Sequence, residues 1–523
     1  MKRDDSSENR LANEPDSAAD PGWKPRLEEL AKRQQTARGM GGRAKLEKQR
    51  AHGRLDARAR VERLLDAESF VEIGALAGGL TEPDAKATPA DALVAGFGRI
   101  DGRPVLVGSE DFTVMGGSIG PAAAVKRYRL TQLAAQERVP LVMLLEGGGH
   151  RMTNTLRSHG RSPNDLQGLA ELSGRVPTVC VVMGPSAGHG ALTAPLMDFV
   201  IMVEGASLFS AGPPLVAAAL GEKVEKEELG GAQVHVAQSG VAHNRAPDDP
   251  AGLDRAREYL SYFPSNAWQS APRRDGPDTG ERQIDEILAL VPVDSRRPYK
   301  MRRLLELLVD EHRILEIQPE YGASLITAIA RLGGQSVAIL ANDPSVRAGA
   351  VDSAAAEKGS RFLEIVGGFH LPVVFLADNP GVLAGTAAER AGALRQAARL
   401  FAAQHRLRSP KISVTLRKAY GFGSSIMAMN PFDDQTLSLA FPGVALGAMP
   451  ARGGSEVAKA GAELRAQLED AESEASYRIA STLGFDDVID PRELRNALLR
   501  GLELASAREQ GDRAPIAHTG ALP

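Results

Sequence analysis

The sequence predicts an α/β fold in which one unit occurs twice in tandem. Short apolar runs of strand length alternate with helical segments, and the phrases around those runs recur at a nearly constant spacing. Gly188-His189-Gly190 returns as Gly421-Phe422-Gly423, 233 residues later. Asp101-Gly102-Arg103-Pro104-Val105 returns as Gly333-Gly334-Gln335-Ser336-Val337, Val139-Pro140-Leu141-Val142 as Leu371-Pro372-Val373-Val374, and Val176-Pro177 as Ser409-Pro410. A repeat of this kind defines architecture before any single motif does. A chain of 523 residues holds two or more domains. The proline-rich stretch 264–280 marks their boundary. The expected division is a disordered tail over 1–25, a first domain over 26–270 and a second over 271–523.

In chain order, residues 26–50 are rich in helix formers and broken at 39–42, so two short helices are expected. Asp56 can cap a helix over 57–65 with Val61, Leu64 and Leu65 as its apolar stripe. A strand region begins at 70–73, and 81–88 is a polar loop. Residues 92–100 and 104–109 form a β-hairpin about Asp101-Gly102. Asp111-Phe112-Thr113 leads through Gly116-Gly117-Ser118 into a helix ending at Leu133. A buried strand at 141–145 runs into Glu146-Gly147-Gly148-Gly149-His150-Arg151. The strand at 179–183 breaks at Gly184-Pro185 into Ser186-Ala187-Gly188-His189-Gly190, where a helix opens. Further strands fall at 199–203 and 207–210, and the charged stretch 221–243 belongs at the surface. Residues 298–309 are helical. The second unit repeats the plan: strand 337–340, loop 349–352, helix 357–367, strand 373–376, a long helix after Gly385-Thr386, and strand 412–416 ending at Gly421-Phe422-Gly423. An amphipathic helix is expected over 456–481. Asp490-Pro491-Arg492-Glu493 carries a cap, a first-position proline and a capping glutamate, so a structural helix closes the chain.

With 43% hydrophobic and 24% charged residues, the chain has a globular composition. Its net charge of −4 gives no electrostatic case for nucleic acid or an anionic membrane surface. No run reaches the roughly 18 apolar residues of a membrane span, and the N-terminus lacks an apolar signal core, so a cytoplasmic location is expected. The one cysteine, Cys180, lies in an apolar strand and is read as core. It excludes an internal disulfide or a cysteine-ligated zinc site, and no metal is expected.

The repeated feature is a strand that enters a glycine turn and opens a helix. Such a turn leaves backbone N–H groups unpaired, which suits an anionic oxygen. A purely steric need for glycine would explain one such turn; two matching turns favour a shared chemical task.

Several phrases resemble the carboxyltransferase subunit of biotin-dependent acyl-CoA carboxylases, of the propionyl-CoA and methylcrotonyl-CoA type. They are Gly184-Pro185-Ser186-Ala187-Gly188, Glu227-Glu228-Leu229-Gly230-Gly231-Ala232, Ser239-Gly240-Val241-Ala242-His243, Arg417-Lys418-Ala419-Tyr420-Gly421 and Asp486-Asp487-Val488-Ile489, with Asp111-Phe112-Thr113 and Gly116-Gly117-Ser118. They occur in the family's order across residues 45–500. The resemblance implies two tandem crotonase-like domains, the first binding acyl-CoA and the second carboxybiotin. It implies a hexamer, a trimer of dimers, with each active site between the first domain of one subunit and the second of another. It places the biotin carboxylase and biotin carrier on a separate subunit; this sequence has no Ala-Met-Lys-Met attachment phrase, only Tyr299-Lys300-Met301.

The implied chemistry needs two oxyanion sites. Removing a proton beside the thioester charges its oxygen, and releasing CO2 from carboxybiotin charges the ureido oxygen. Gly188, His189 and Gly190 would serve the first; Gly421, Phe422 and Gly423 would serve the second. By the same resemblance the deprotonated biotin nitrogen is the base, Gly116, Gly117, Gly148 and Gly149 approach CoA, and Ser425 lies beside the acyl pocket. The sequence departs from the family at His189 and Phe422, which stand where glycines are common, and at Glu146–Arg151, which replaces a Ser-Gly-Gly-Ala-Arg type of loop. His189 is read as an N–H donor whose ring packs or lines the acyl pocket, with an acid–base role as the alternative. Phe422 is read as packing. His150 and His243 have no assigned role. A biotin-dependent decarboxylase subunit, or a non-catalytic scaffold paralogue, would share these features. Deleting Met1–Asp20 is expected to leave oligomerisation and acyl-CoA binding unchanged, because that composition cannot bury a core; collapse of either on gel filtration or titration would refute it.

Overall fold

The computed structural model describes residues 22–78, 88–156, 164–430 and 432–511. The expected tail up to residue 21 and the loop over 81–87 lie outside the described residues. The first half contains β1 (Val71–Glu72), β2 (Leu93–Ile100), β3 (Arg103–Glu110), β4 (Leu141–Gly147), β5 (Thr178–Ala187), β6 (Phe199–Val203), β7 (Ser207–Phe209) and β8 (Asn244–Ala246). The second contains β9 (Ile314–Ile317), β10 (Leu325–Leu332), β11 (Gln335–Asn342), β12 (Val373–Asn379), β13 (Lys411–Tyr420), β14 (Gln435–Ala440), β15 (Ala445–Gly447) and β16 (Asp487–Val488). The sheets run β1-β2-β3-β4-β5-β6-β8, with β7 on β5, and β9-β10-β11-β12-β13-β14-β16, with β15 on β13. Each begins with antiparallel pairs and continues in parallel. The repeat in the sequence is thus a repeat in strand order, direction and connection.

The parallel strands β4, β12 and β13 are buried along their whole length, and β5 is buried except at Pro185 and Ala187, which is why their apolar runs do not alternate. The Asp101-Gly102 hairpin and its Gly333-Gly334 counterpart pair in full register. Asp56 caps the helix Ala57–Leu64 through the Ala59 N–H, and Val61, Leu64 and Leu65 are buried as expected. One continuous apolar core spans both halves. Stretch 264–280 crosses between them: the Ala267 N–H donates to Arg175 O, and the Arg274 N–H donates to Gly334 O. Arg495, fully buried in the closing helix Leu494–Leu504, pairs with Asp310 at 2.7 Å.

Several boundaries differ from expectation for local reasons. Helix Trp23–Arg38 starts inside the expected tail, because Pro25 falls in its first turn, where a missing N–H is harmless. Strands β5 and β13 extend past their apolar runs because β7 and β15 pair with their polar ends. The long helix after Gly385 breaks at Gly392, φ +77°, into Thr386–Arg390 and Ala393–His405. The helix expected over 456–481 is three helices, Ala451–Val457, Ala462–Ser473 and Ala475–Ala480; Lys459, at φ +50°, turns the chain before Gly461 restarts it. Within the stretch expected at the surface, His243 is buried, accepting the Val200 N–H on Nδ1. Glu493 bonds Asn496 rather than the cap backbone, while Asp490 itself accepts the Arg492 N–H.

Candidate active site

The first glycine turn forms where β5 ends. Ala187 is extended, and Gly188 takes φ +58°, a left-handed value that glycine adopts readily, opening the short helix Gly188–Ala191. Among the described residues no acceptor takes the His189 or Gly190 N–H. The loop after β4 packs directly on this turn: a Cβ on Gly149 would stand 2.8 Å from the Ala187 carbonyl oxygen. That loop rests on the turn at Met115–Gly117, where a Cβ on Gly117 would lie 2.2 Å from the Glu146 carbonyl oxygen. Gly149 therefore touches the turn, while Gly116, Gly117 and Gly148 lie in the contact behind it. The Gly148 N–H is spent within this contact, donating to Gly116 O at 3.0 Å. The Ile119 N–H donates to Gly149 O and the Arg151 N–H to Ile119 O, so the intervening His150 N–H faces the other edge.

Beneath the turn lies a buried charged network. Arg127 donates through Nε to Asp165 at 2.7 Å, through one terminal nitrogen to Glu110 at 2.8 Å and through the other to Thr193 at 2.6 Å. Asp165 also accepts from His189 Nε2 at 2.5 Å. The His150 ring meets the His189 ring edge to face, centroids 4.7 Å apart. Burial works against the Asp165 charge, but the His189 hydrogen bond and the Arg127 charge hold its carboxyl down to about 2. Burial pushes Glu110 up against the pull of Arg127, and pushes His150 down with help from His189. Glu146, at the end of β4, is buried and paired with Arg54 and Arg60 at 3.0 and 2.6 Å, which ties the N-terminal segment to the site.

The low value of Asp165 predicts a pH signature. Its folded value lies below the ordinary 3.8, so it stabilises the fold above pH 3.8 and the contribution is lost as pH falls through about 2. The size is about 2 kcal/mol. The stability gap between the wild type and Asp165→Asn should therefore close between about pH 5 and about pH 2 in denaturant titrations. A gap constant over that range would contradict the ion pair.

The second turn is similar, with one correction. Gly421, φ +52°, donates its N–H to Gly447 O at 2.9 Å. Strand β15 thus consumes a donor expected to be available, leaving the Phe422 and Gly423 N–H groups without acceptors among the described residues. A Cβ on Gly423 would stand 2.1 Å from Asn379 Oδ1 and 2.6 Å from Gly381 Cα, so the turn closes tightly on the loop after β12. Asn342 occupies the strand position of Glu110; its Oδ1 accepts the Asp378 N–H as Glu110 accepts the Glu146 N–H. The Phe422 ring packs on Phe401, centroids 5.5 Å apart, yet stays 42% exposed, so one face is packed and another open. Ser425 is half-buried in the helix Phe422–Ile426. Arg417 and Lys418 reach away from the turn: Arg417 pairs with Asp378 at 2.7 Å and donates to Arg297 O, and Lys418 donates to Ser295 O. Among the described residues no hydrogen bond, ion pair or ring contact links the two turns within one chain.

Residues 48–518 match the carboxyl transferase domain family. The chain belongs to this family. This carboxyltransferase is 35% identical over 504 residues to the methylmalonyl-CoA carboxyltransferase 12S subunit of Propionibacterium freudenreichii subsp. shermanii, covering 93% of this chain and 95% of that protein. It is 34% identical over 491 residues to the human mitochondrial propionyl-CoA carboxylase beta chain, covering 92% and 91%. It is 36% identical over 494 residues to the methylmalonyl-CoA decarboxylase alpha subunit of Veillonella parvula, covering 92% and 96%. The solved transcarboxylase 12S structure, a hexamer with methylmalonyl-coenzyme A and methylmalonic acid bound, superposes with TM-score 0.88 at 34% identity, covering 97% of this chain and all of that one. The carboxyltransferase is of the biotin-dependent acyl-CoA carboxylase type, with the expected pair of crotonase-like units.

Sequence reasoning missed the partners of His189. Asp165 is 24 residues away and Arg127 is 62 residues away, on different helices, so no local pattern joins them. A usable signal was Glu110, a charge directly after the apolar run 105–108 and Ser109, where a buried carboxylate requires a cation nearby.

Proposed function

We propose that this chain moves a carboxyl group between carboxybiotin, borne by a separate subunit, and the α or vinylogous carbon of an acyl-CoA. The reading is carried by the pair of equivalent turns, each presenting two N–H groups without internal acceptors at the same point of the same fold. His189 and Gly190 would hold the thioester oxygen as the enolate forms, with the His150 N–H across from them. Phe422 and Gly423 would hold the ureido oxygen. Carboxybiotin supplies the carboxyl group. Each preorganised donor is worth about 2.7–4 kcal/mol in the transition state. Gly116, Gly117 and Gly149 let the CoA thioester approach the backbone closely, and Gly148 shapes the same loop.

The family resemblance implies a working site between the first half of one subunit and the second half of another, a reading supported by the lack of any hydrogen bond, ion pair or ring contact between the two turns among the described residues of one chain. A hexamer built as a trimer of dimers is the assembly that supplies this. The test is carboxyl transfer from malonyl- or methylmalonyl-CoA to free biotin, read as carboxybiotin formed. Transfer supports the assignment; an acyl-CoA that binds without transfer contradicts it, and absence of binding favours a scaffold role.

Ser425 sits on the helix that carries the second turn and would border the acyl pocket. Its small side chain leaves room for propionyl or a longer, branched chain in preference to acetyl. A methylene-sized change is worth about 1–3 kcal/mol of discrimination. Ser425→Ile should shift the ratio of specificity constants toward the shorter chain. Unchanged ratios across acetyl-, propionyl- and a five-carbon acyl-CoA would place Ser425 outside the pocket.

A further inference from the structure

The seam between the two halves holds a cavity of about 280 Å3, and no residue of either glycine turn lines it. Pro195 and Gly240 line it from the first half; Tyr321, Lys358, Arg361 and Arg399 line it from the second. It reaches from exposed Ser239 to Lys358, which is 2% exposed. Its walls are tied together across the seam. Gln318 Nε2 donates to Gly240 O at 2.8 Å, and Arg361 donates to Pro195 O and Met197 O at 3.1 and 2.8 Å. A buried lysine needs a counter-charge or a full set of acceptors. The repeat supplies an internal comparison. Lys126 and Lys358 are each the sixth residue of their helix, Pro121–Glu137 and Ser353–Gly368. The Lys126 ammonium donates to two carbonyls, Ala90 O and Leu93 O. Among the described residues Lys358 has one acceptor, Gln318 O at 3.2 Å, and no ion pair. Burial pushes it down to about 7. Three cations and one carboxylate line the cavity. The carboxylate, Glu357, accepts the Tyr321 hydroxyl at 2.7 Å, and adjacent residues of a helix do not face each other.

We propose that this cavity binds a small oxyanion, a phosphate or a short carboxylate, held by Lys358 and Arg399 between the two halves. Lys358 brings the N–H donors that Lys126 spends on carbonyls. Arg399 is drawn only loosely toward Glu364, at 3.4 Å, and its planar guanidinium can offer paired donors to two oxygens of either anion. Arg361 adds positive charge from the wall. The volume lies below the roughly 300–1,000 Å3 of pockets for drug-sized ligands, so it suits an anion of a few heavy atoms rather than a nucleotide. A bound anion would supply the counter-charge that Lys358 lacks. It would sit between the halves and stabilise the folded chain by mass action without entering either turn. The site does not depend on which oxygen each turn holds, so it stands or falls apart from the proposed function.

The experiment titrates the full chain calorimetrically with sodium phosphate, and separately with sodium malonate, at neutral pH against sodium chloride of matched ionic strength. Thermal melting is read alongside. At least one of the two anions should bind saturably and raise the melting temperature with concentration. Phosphate alone marks a phosphate site, malonate alone a carboxylate site, and both a general oxyanion site; each supports the proposal. Lys358→Met keeps the length and removes the charge. It should weaken anion binding by about tenfold or more. The anion-free variant should be at least as stable as the wild type, because an apolar group replaces a buried charge without a counter-ion. Arg399→Gln, at a partly exposed position, should weaken binding by about threefold or more, and it serves if the methionine variant folds poorly. A merely structural lysine would give the opposite pattern, with lower anion-free stability and an unchanged response to anions, and that result overturns the proposal. Melting temperatures that neither anion raises beyond chloride overturn it. Binding within about twofold of wild type in both variants places the anion elsewhere and overturns it as well.

Discussion

Gly190→Pro is expected to abolish enolate formation in a protein that still folds. Proline is accommodated in the first turn of a helix because the N–H it lacks has no intrahelical partner there. Gly190 has that position, and its N–H has no acceptor among the described residues. Losing one preorganised donor should lower carboxyl transfer by about 100- to 1,000-fold. A Cβ at this position would stand 3.3 Å from Glu110 Oε1, a tight but not prohibitive contact. Gly190→Ala is therefore the control, adding the same carbon while keeping the N–H. If the alanine and proline variants lose transfer equally, crowding rather than the donor is responsible.

Arg127→Met should be the most damaging single change to stability near the site. It leaves Glu110 and Asp165, both buried, without their cation and removes the hydrogen bond to Thr193. Breaking a buried pair from one side costs about 3–5 kcal/mol, because the remaining charge stays desolvated. Arg63→Met is the contrast: Arg63 pairs with Asp254 in a bridge that is half exposed on both sides, and exposed pairs are worth about 0–1 kcal/mol. Urea titration of both variants checks the difference. Equal effects would mean that the network beneath the first turn is solvated. Thr193 donates its N–H to Gly190 O, so a destabilised Arg127→Met protein should also lose precision at the turn.

What was legible in the sequence was what is local. A hairpin turn, a capping aspartate, an apolar run and a glycine turn each announce themselves within about ten residues, and the repeat confirmed them twice. The missing parts depend on distant neighbours. Gly421 reads as a donor until β15 is seen to take its N–H. His189 reads as packing or chemistry until Asp165 and Arg127 are in place around it. The stretch 456–481 has the composition of one helix, but Lys459 at φ +50° breaks it. Arg417-Lys418 is a family phrase whose side chains hold the loop at 292–297, a structural task invisible in the phrase itself.

The division of labour between the turns is tested most directly at Gly423. A Cβ there meets Asn379 Oδ1 at 2.1 Å, so Gly423→Ala must displace the second turn while leaving the first untouched. Titration with propionyl-CoA should give wild-type affinity within about threefold, while carboxyl transfer to free biotin falls by about 100-fold or more. Gly190→Pro, measured beside it, should lose α-proton exchange in the bound acyl-CoA. If Gly423→Ala and Gly190→Pro lose acyl-CoA binding to the same extent, the two turns do not hold different oxygens and the assignment of the halves is wrong.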